Sequence, residues 1–273
     1  MIARGSSSVR ELVERGESLA ALGWRIIDAH AHLGPWEGFY IPTPDAATMV
    51  AMYDRLGINL AGLSSNLAVD SDYALGNERT AQAVRAFPER LFGYVVPHPR
   101  YPQGVLPELR RGFDELGLRA IKLHPATHNY SVLEPACEDI WRFAEEREAI
   151  VLIHTWEGDE RCRPKAFGQL AEAHPTVPFL LGHSGGGPAG RREAVEVAKA
   201  HSNLYLEICC SRLTSAELEY LVDGAGAERV IFGTDSPWID PRPTLGRVAY
   251  ANLADEQLRL ILGENMARLL GLD

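Results

Sequence analysis

Eight short apolar runs recur along this chain, most of them separated by a stretch with helical periodicity. The runs lie near 25–32, 58–64, 91–96, 118–124, 149–154, 177–183, 203–209 and 229–235. Between them, Ala46 to Leu56, Leu75 to Phe87, Leu106 to Leu116, Glu134 to Arg147 and Arg191 to Ala200 repeat their apolar residues at helical spacing. Strands alternating with helices build βαβ units and a parallel sheet. A length of 273 residues suits a closed (β/α)8 barrel, which takes roughly 250. With no second composition zone in sight, a TIM-like barrel over residues 25–273 is the expected domain. An open doubly wound sheet is the alternative.

Residues 1–24 precede the first run and are expected to form a helical extension. Ser8, followed three positions later by Glu11, predicts a capping box, with Leu12, Leu19 and Leu22 as the apolar residues. This helix is expected on the outside or bottom of the barrel, with an interface role as the weaker alternative. At the other end, Asp255 to Leu270 reads as two short helices broken at Gly263.

The formal net charge of −10 argues against a nucleic-acid partner, which needs a basic surface. No apolar run reaches the roughly 20 residues of a membrane span, and Met1 to Glu17 lacks the apolar middle of a secretory signal. The expectation is a soluble, cytoplasmic protein that acts on a small molecule, with homo-oligomerisation left open. Cys137, Cys162, Cys209 and Cys210 have neither zinc-knuckle nor redox spacing. The Cys209-Cys210 pair reads as part of a buried strand, with a catalytic thiol as the weaker alternative.

The chemistry gathers at strand ends. Ile26-Ile27-Asp28-Ala29-His30-Ala31-His32, Ala149-Ile150-Val151-Leu152-Ile153-His154, Phe179-Leu180-Leu181-Gly182-His183 and Val230-Ile231-Phe232-Gly233-Thr234-Asp235 each finish in a metal-donor residue. A parallel barrel brings the carboxyl ends of its strands to one mouth. Imidazole and carboxylate suit zinc and similar divalent ions. A single histidine at the end of a buried strand is more often a hydrogen-bonded core residue; donors on four strands at once are not. His174 and His201 fall in loops and are expected at the surface.

Asp235 has two roles open to it: ligand, and acceptor of a proton from metal-activated water. His183, in Gly182-His183-Ser184-Gly185-Gly186-Gly187, could polarise a carbonyl or stabilise an oxyanion, or merely orient a ligand. Lys122 and His124 share one face of the fourth run. A lysine pointing into a barrel is costly unless paired or modified. Lys122 therefore reads as a substrate cation, as the partner of Glu207 in a salt bridge, or, ranked below these, as a carbamate bridging two metals. His124 reads as a substrate contact at the mouth.

Taken in order, Asp28-Ala29-His30-Ala31-His32, Ile121-Lys122-Leu123-His124-Pro125, Leu152-Ile153-His154, Gly182-His183-Ser184-Gly185-Gly186 and Ile231-Phe232-Gly233-Thr234-Asp235-Ser236-Pro237 resemble the amidohydrolase superfamily, and within it the amidohydrolase 2 branch. The ending Ile261-Leu262-Gly263-Glu264-Asn265-Met266-Ala267-Arg268-Leu269-Leu270-Gly271 extends the likeness, which covers about residues 25–272. The resemblance implies a distorted barrel holding one divalent metal, usually zinc, through His30, His32, His154 and Asp235. His183 would match the branch's catalytic or auxiliary-ligand position. A binuclear variant would use carbamylated Lys122, with His154 and His183 on the second ion. Glu207 and the leader at 1–24 have no counterpart in that pattern.

The branch includes hydrolases and non-oxidative decarboxylases, so fold alone does not choose the reaction. The first expectation is hydrolysis of an ester, lactone or amide by metal-activated water, with Asp235 moving the proton and His183 on the oxyanion. The second is decarboxylation of an aromatic or enoic acid on the same site. A non-catalytic barrel is the third reading. Arg161 and Arg163, with Lys165, overhang the fifth strand, and Arg212 follows the seventh. They could fork onto a substrate carboxylate, although a solvated loop in which they pair with Asp159 and Glu160 is at least as good a reading. Trp36, Trp156 and Trp238 each follow a donor-bearing strand and could wall a planar substrate.

Overall fold

A computed structural model describes residues 7–42 and 44–272. Eight parallel strands run in sequence order around a barrel: β1 (Ile27–Leu33), β2 (Leu60–Ser65), β3 (Leu91–Val95), β4 (Ala120–Leu123), β5 (Ile150–His154), β6 (Phe179–Gly182), β7 (Leu204–Glu207) and β8 (Val230–Ile231). The helices are α1 (Ser8–Arg15), α2 (Ala46–Leu56), α3 (Asn66–Asp70), α4 (Tyr73–Ala86), α5 (Pro102–Arg110), α6 (Pro125–His128), α7 (Glu138–Glu146), α8 (Ala166–Ala173), α9 (Pro188–Ala200), α10 (Ser215–Ala225), α11 (Pro241–Tyr250), α12 (Asp255–Arg259) and α13 (Asn265–Leu270). The open sheet is excluded, because the chain after β8 returns to β1. Ala29 N–H donates to Phe232 O at 3.0 Å, Asp235 N–H to His30 O at 2.8 Å, and His32 N–H to Ser236 O at 2.7 Å.

The eighth strand is shorter than its apolar run. Only Val230 and Ile231 are regular, and Asp235 takes a left-handed backbone with φ 64°. The barrel interior is filled below by Ile27, Ala29, Tyr94, Ala120, Leu152, Leu180 and Ile231, with Met266 of α13 in the same cluster. A second, larger cluster fills the layer between barrel and helices.

Three local expectations are corrected. Helix α1 is capped by Ser7, whose side chain accepts from Arg10 N–H. Ser8 is instead the first helical residue and donates to Asp255, because docking against the start of α12 draws it away from a capping role. Residues 1–6 of the expected extension lie outside the described residues. Gly263 does not break the last helix: it lies in a π-helical turn, Leu260–Glu264, that joins α12 to α13. A Cβ there would stand 1.8 Å from Arg25 O, so glycine is needed for close backbone approach. His174, expected at the surface, is buried, with Nδ1 3.3 Å from Glu145 Oε1. A similar π turn, Arg111–Glu115, extends α5. No helix among the described residues is long and apolar enough to cross a membrane.

Candidate metal centre

Strict alternation along β1 would put Asp28, His30 and His32 on one face. The register against β2 slips between Asp28 and Ala31, and such an irregularity re-aims side chains. Ile27 and Ala29 pack in the barrel interior, whereas Ala31 packs in the outer layer. Asp28 is turned away from the mouth toward α2 and the end of β8. Its Oδ1 accepts from His30 N–H at 3.1 Å and Thr234 N–H at 3.0 Å. Its Oδ2 accepts from Tyr53 Oη at 3.0 Å and from the Thr234 hydroxyl. Asp28 thus ties β1 to the segment that carries Asp235.

His30, His32 and Asp235 come together, buried, with one donor atom of each within 4.8 Å of the others. Asp235 Oδ1 is 3.3 Å from His32 Nε2 and 3.6 Å from His30 Nε2. It is nonetheless a buried oxygen without a hydrogen-bond partner, which is rare in folded proteins. The imidazole partners show why a cation fits there. His30 Nδ1–H donates to Glu207 Oε2 at 2.8 Å. His32 Nδ1 lies 3.3 Å from Ser64 Oγ. His183 Nδ1–H donates to the Cys209 carbonyl at 2.8 Å, so its Nε2 accepts from His154 Nδ1–H at 3.0 Å. Nδ1 is thus engaged on His30, His32 and His154, so Nε2 would be the atom each offers a metal; on His30 it meets Lys122 Nζ. His154 is not within 4.8 Å of the whole His30–His32–Asp235 triad and stands beside it, stacked on His124 with ring centroids 4.0 Å apart.

Burial disfavours the charged form of these rings. Burial, followed by neighbouring cationic groups, drives His30, His124 and His154 well below the ordinary imidazole range. Burial lowers His32 and His183 too. Burial alone would raise Asp235, but contact with His32 and the charges of His183, His32 and Lys122 outweigh it and hold the carboxyl at about 2. Burial pulls the Lys122 ammonium down and pushes the Glu207 carboxyl up. Lys122 Nζ donates to His30 Nε2 at 2.6 Å, and Glu207 faces His30, His183 and Cys209 instead of Lys122.

The loops around the centre adopt strained backbone to aim these groups. His183 (φ 66°), Ser184 (φ 47°) and Asp235 (φ 64°) are left-handed without being glycine; such residues cost of order 1–3 kcal/mol each and gather at functional sites. At Gly233 a Cβ would fall 2.2 Å from Glu207 Oε1 and 2.9 Å from His30 Cβ. At Gly186 it would fall 2.3 Å from the Trp156 ring. Both glycines let a site residue approach the backbone.

The three tryptophans flank the centre. Trp238 stacks on His32 at 4.2 Å and 8°, Trp36 lies 4.5 Å from Trp238, and Phe39 stacks on Trp238 at 5.5 Å. Trp156 is parallel to His154 at 5.7 Å. Beside Trp36 opens a cavity of about 580 Å³, lined also by Leu33, Pro35, Asn66 and Leu67, with Arg79 on its rim. Both arginines of the β5 loop are paired. Arg161 Nη2 binds Asp159 Oδ2 at 2.7 Å and Nη1 binds Asn129, while Arg163 binds Glu160 and Glu193. Arg212 is exposed beyond β7. Among the residues that hold the centre, Asp28 and Ser64 were given no role from sequence, and Cys209 was read only as part of a buried strand or, more weakly, as a catalytic thiol. Glu207 was singled out, with the wrong partner.

The amidohydrolase family profile matches residues 27–272. No curated protein matches the chain. Among solved structures, an amidohydrolase assigned as putative from Staphylococcus aureus superposes with TM-score 0.74 at 15% identity, covering 91% of this chain and 100% of that one. The 2,6-dihydroxybenzoate decarboxylase from Rhizobium superposes with TM-score 0.71 at 16% identity, covering 92% and 99%. The 5-carboxyvanillate decarboxylase from Novosphingobium aromaticivorans, complexed with manganese and 4-hydroxy-3-methoxy-5-nitrobenzoic acid, superposes with TM-score 0.74 at 14% identity, covering 94% and 98%. At these identities the likeness establishes the shared fold.

Proposed function

This chain belongs to the amidohydrolase family, and from that premise we propose that it is a metal-dependent, non-oxidative decarboxylase of an aromatic carboxylic acid. The observation that carries this reading is the ring stack that begins on His32 and continues through Trp238 to Trp36 and Phe39. It gives a planar substrate a wall whose inner edge is a metal-donor residue. The decarboxylase activities named for the Rhizobium and Novosphingobium proteins support the same choice.

In this reading His30, His32 and Asp235 would hold one divalent ion, and His154, which stands beside them stacked on His124, is the candidate fourth ligand. A bound ion supplies positive charge that anchors the substrate carboxylate and a neighbouring oxygen. The donor set suits zinc; the manganese in the Novosphingobium relative makes that ion the rival. Asp235 carries the proton. The ionised Asp235 would take up a proton from solvent water and deliver it to the ring carbon that bears the carboxylate. The bond from that carbon to the carboxylate then breaks, its electron pair returns to the ring, and carbon dioxide leaves. Trp238 and Trp36 hold the ring flat and keep water from its face. His183, fixed between Cys209 O and His154, keeps His154 in register. His124, stacked on His154, and Arg212 remain substrate contacts to be tested.

Hydrolysis of an ester, lactone or amide is the second reading, favoured by the buried, neutral His183 beside the same donors. A binuclear form with carbamylated Lys122 is a variant of either, helped by the burial that lowers the Lys122 amine to about 8. Incubation of metal-loaded protein with a panel of hydroxybenzoates in deuterium oxide tests the choice. Decarboxylation releases carbon dioxide and leaves one deuterium on the vacated ring carbon, with no oxygen from labelled water in the aromatic product. Labelled oxygen in the product of an ester or lactone panel, without carbon dioxide release from the acids, would transfer the assignment to hydrolysis. Metal analysis of the same sample counts one ion or two.

A further inference from the structure

Glu207 is wholly buried at the end of β7, a costly place for a carboxylate unless its lone pairs are filled. Four donors converge on it. Oε1 accepts from Cys209 N–H, and Oε2 accepts from His183 N–H at 3.2 Å, from Cys209 Sγ–H at 3.0 Å and from His30 Nδ1–H at 2.8 Å. The opposite end of the His30 ring fits the same placement. Nε2 lies 2.6 Å from Lys122 Nζ, and a lysine ammonium, which only donates, meets an unprotonated nitrogen there.

We infer that Glu207 is a positioning residue that locks His30 in the Nδ1–H form, so that its Nε2 lone pair stays on the metal side. The inference rests on the metal reading above. A carboxylate behind a ligating histidine fixes its tautomer and orientation and raises its basicity. Glu207 does more than this, because the same two oxygens hold the backbone of His183 and of Cys209. Through Cys209 O they set the orientation of His183, and through His183 that of His154. One buried side chain thus aligns donors from β1, β5 and β6.

Glu207→Gln tests the inference sharply, since the amide replaces one acceptor by a donor. If its oxygen keeps Cys209 N–H, its NH₂ faces His30, which must then accept at Nδ1 and place its proton on Nε2, where no metal can bind. If the amide turns over, NH₂ meets Cys209 N–H, donor against donor. Two readouts are taken on metal-free and metal-loaded protein: the His30 tautomer by long-range proton–nitrogen NMR, and the metal dissociation constant by chelator competition with zinc and manganese. Wild type is expected to show His30 as Nδ1–H. The Gln variant is expected to lose that signature and to bind metal about 10–100-fold more weakly. If the Gln variant does not fold, Glu207→Asp, which keeps the charge and withdraws it by one methylene, is expected to weaken metal binding partway.

An Nδ1–H tautomer and a wild-type metal constant in a folded Gln or Asp variant would overturn the inference. Wild-type protein that binds metal through Nε2 of His30 but decarboxylates nothing would instead refute the proposed reaction and leave the role of Glu207 standing.

Discussion

Replacing Asp28 by alanine should destabilise the protein in a way that depends on pH, with a predictable sign. The carboxylate accepts two backbone N–H groups, from His30 and Thr234, and the hydroxyls of Tyr53 and Thr234. After truncation the hydroxyls can turn toward one another, but the two buried amides cannot. At up to ~3 kcal/mol for each stranded donor, the gross loss is about 5 kcal/mol. Against this stands a gain. Burial, only partly offset by those hydrogen bonds, raises the Asp28 carboxyl from 3.8 to about 6. A folded pKa above the unfolded one means that folding takes up a proton, so the residue's contribution is complete at low pH and is eroded as pH rises from 3.8 through about 6. The erosion reaches about 3 kcal/mol at pH 7 but only about 1.5 kcal/mol at pH 5, and the alanine variant escapes it. The net cost of Asp28→Ala is therefore about 2 kcal/mol at pH 7 and about 3.5 kcal/mol at pH 5. Urea unfolding of both metal-free proteins at the two pH values measures it, and the other buried histidines cancel in the difference. A cost that grows with pH, or one near zero at both values, would refute the assignment of Asp28 as a buried clamp. Metal affinity should fall in the same variant, because Asp28 holds the residue next to Asp235.

The remaining expectations can be checked with standard assays. Asp235→Asn should abolish carbon dioxide release while only weakening metal binding in chelator competition; full turnover would remove Asp235 from the chemistry. Burial, then His98, lowers His128 from 6.5 to about 4, so its stabilising contribution is complete above 6.5 and is lost as pH falls toward 4. Between pH 7 and pH 5 wild type should lose about 2 kcal/mol more than His128→Gln in urea unfolding, and parallel pH profiles would contradict this. Gly263→Ala must move backbone away from Arg25 O and should cost about 2–3 kcal/mol, read as a lower denaturation midpoint with unchanged metal stoichiometry. Arg161→Ala should change turnover less than twofold, because Asp159 and Asn129 already occupy the guanidinium and exposed pairs contribute roughly 0–1 kcal/mol; a large rise in KM would place it on the substrate instead.

The barrel was legible because its signal is distributed. All eight apolar runs became strands, in order, and a closed ring follows from that alternation once no second domain competes. The donors at strand ends were legible for a related reason: a residue that ends a parallel strand has only one mouth to face. What sequence could not show was the register slip in β1, which sends Asp28 out to Tyr53 and Thr234 while His30 and His32 turn inward. Period-two reasoning has no term for a single irregular step. Nor could it choose a partner for Glu207. A buried lysine and a buried glutamate on facing strands look like a salt bridge on paper, whereas His30 inserts between them, bonding Lys122 through Nε2 and Glu207 through Nδ1. The Gly263 break was misread because a glycine that ends a helix and one that admits a neighbouring carbonyl are indistinguishable without the neighbour.

The energetic burden of the centre falls on residues that do not face its donor point. His183, Ser184 and Asp235 hold left-handed backbone without glycine, and ligands alone would not keep them there. His183 N–H is pinned by Glu207, Ser184 Oγ–H by Glu207 O, and Asp235 N–H by His30 O, next to the Asp28 clamp. Two buried carboxylates, Asp28 behind β1 and β8 and Glu207 behind β1, β6 and β7, therefore counter the strain through separate sets of hydrogen bonds. Loss of either should relax a different pair of donors: His30 with Asp235 in the first case, His30 with His154 in the second. His30 is common to both, so the two substitutions should couple in a double-mutant cycle on metal affinity, whereas sites that share no partner combine additively. Strict additivity would mean that the two carboxylates act on separate parts of the mouth and that His30 is not the pivot between them.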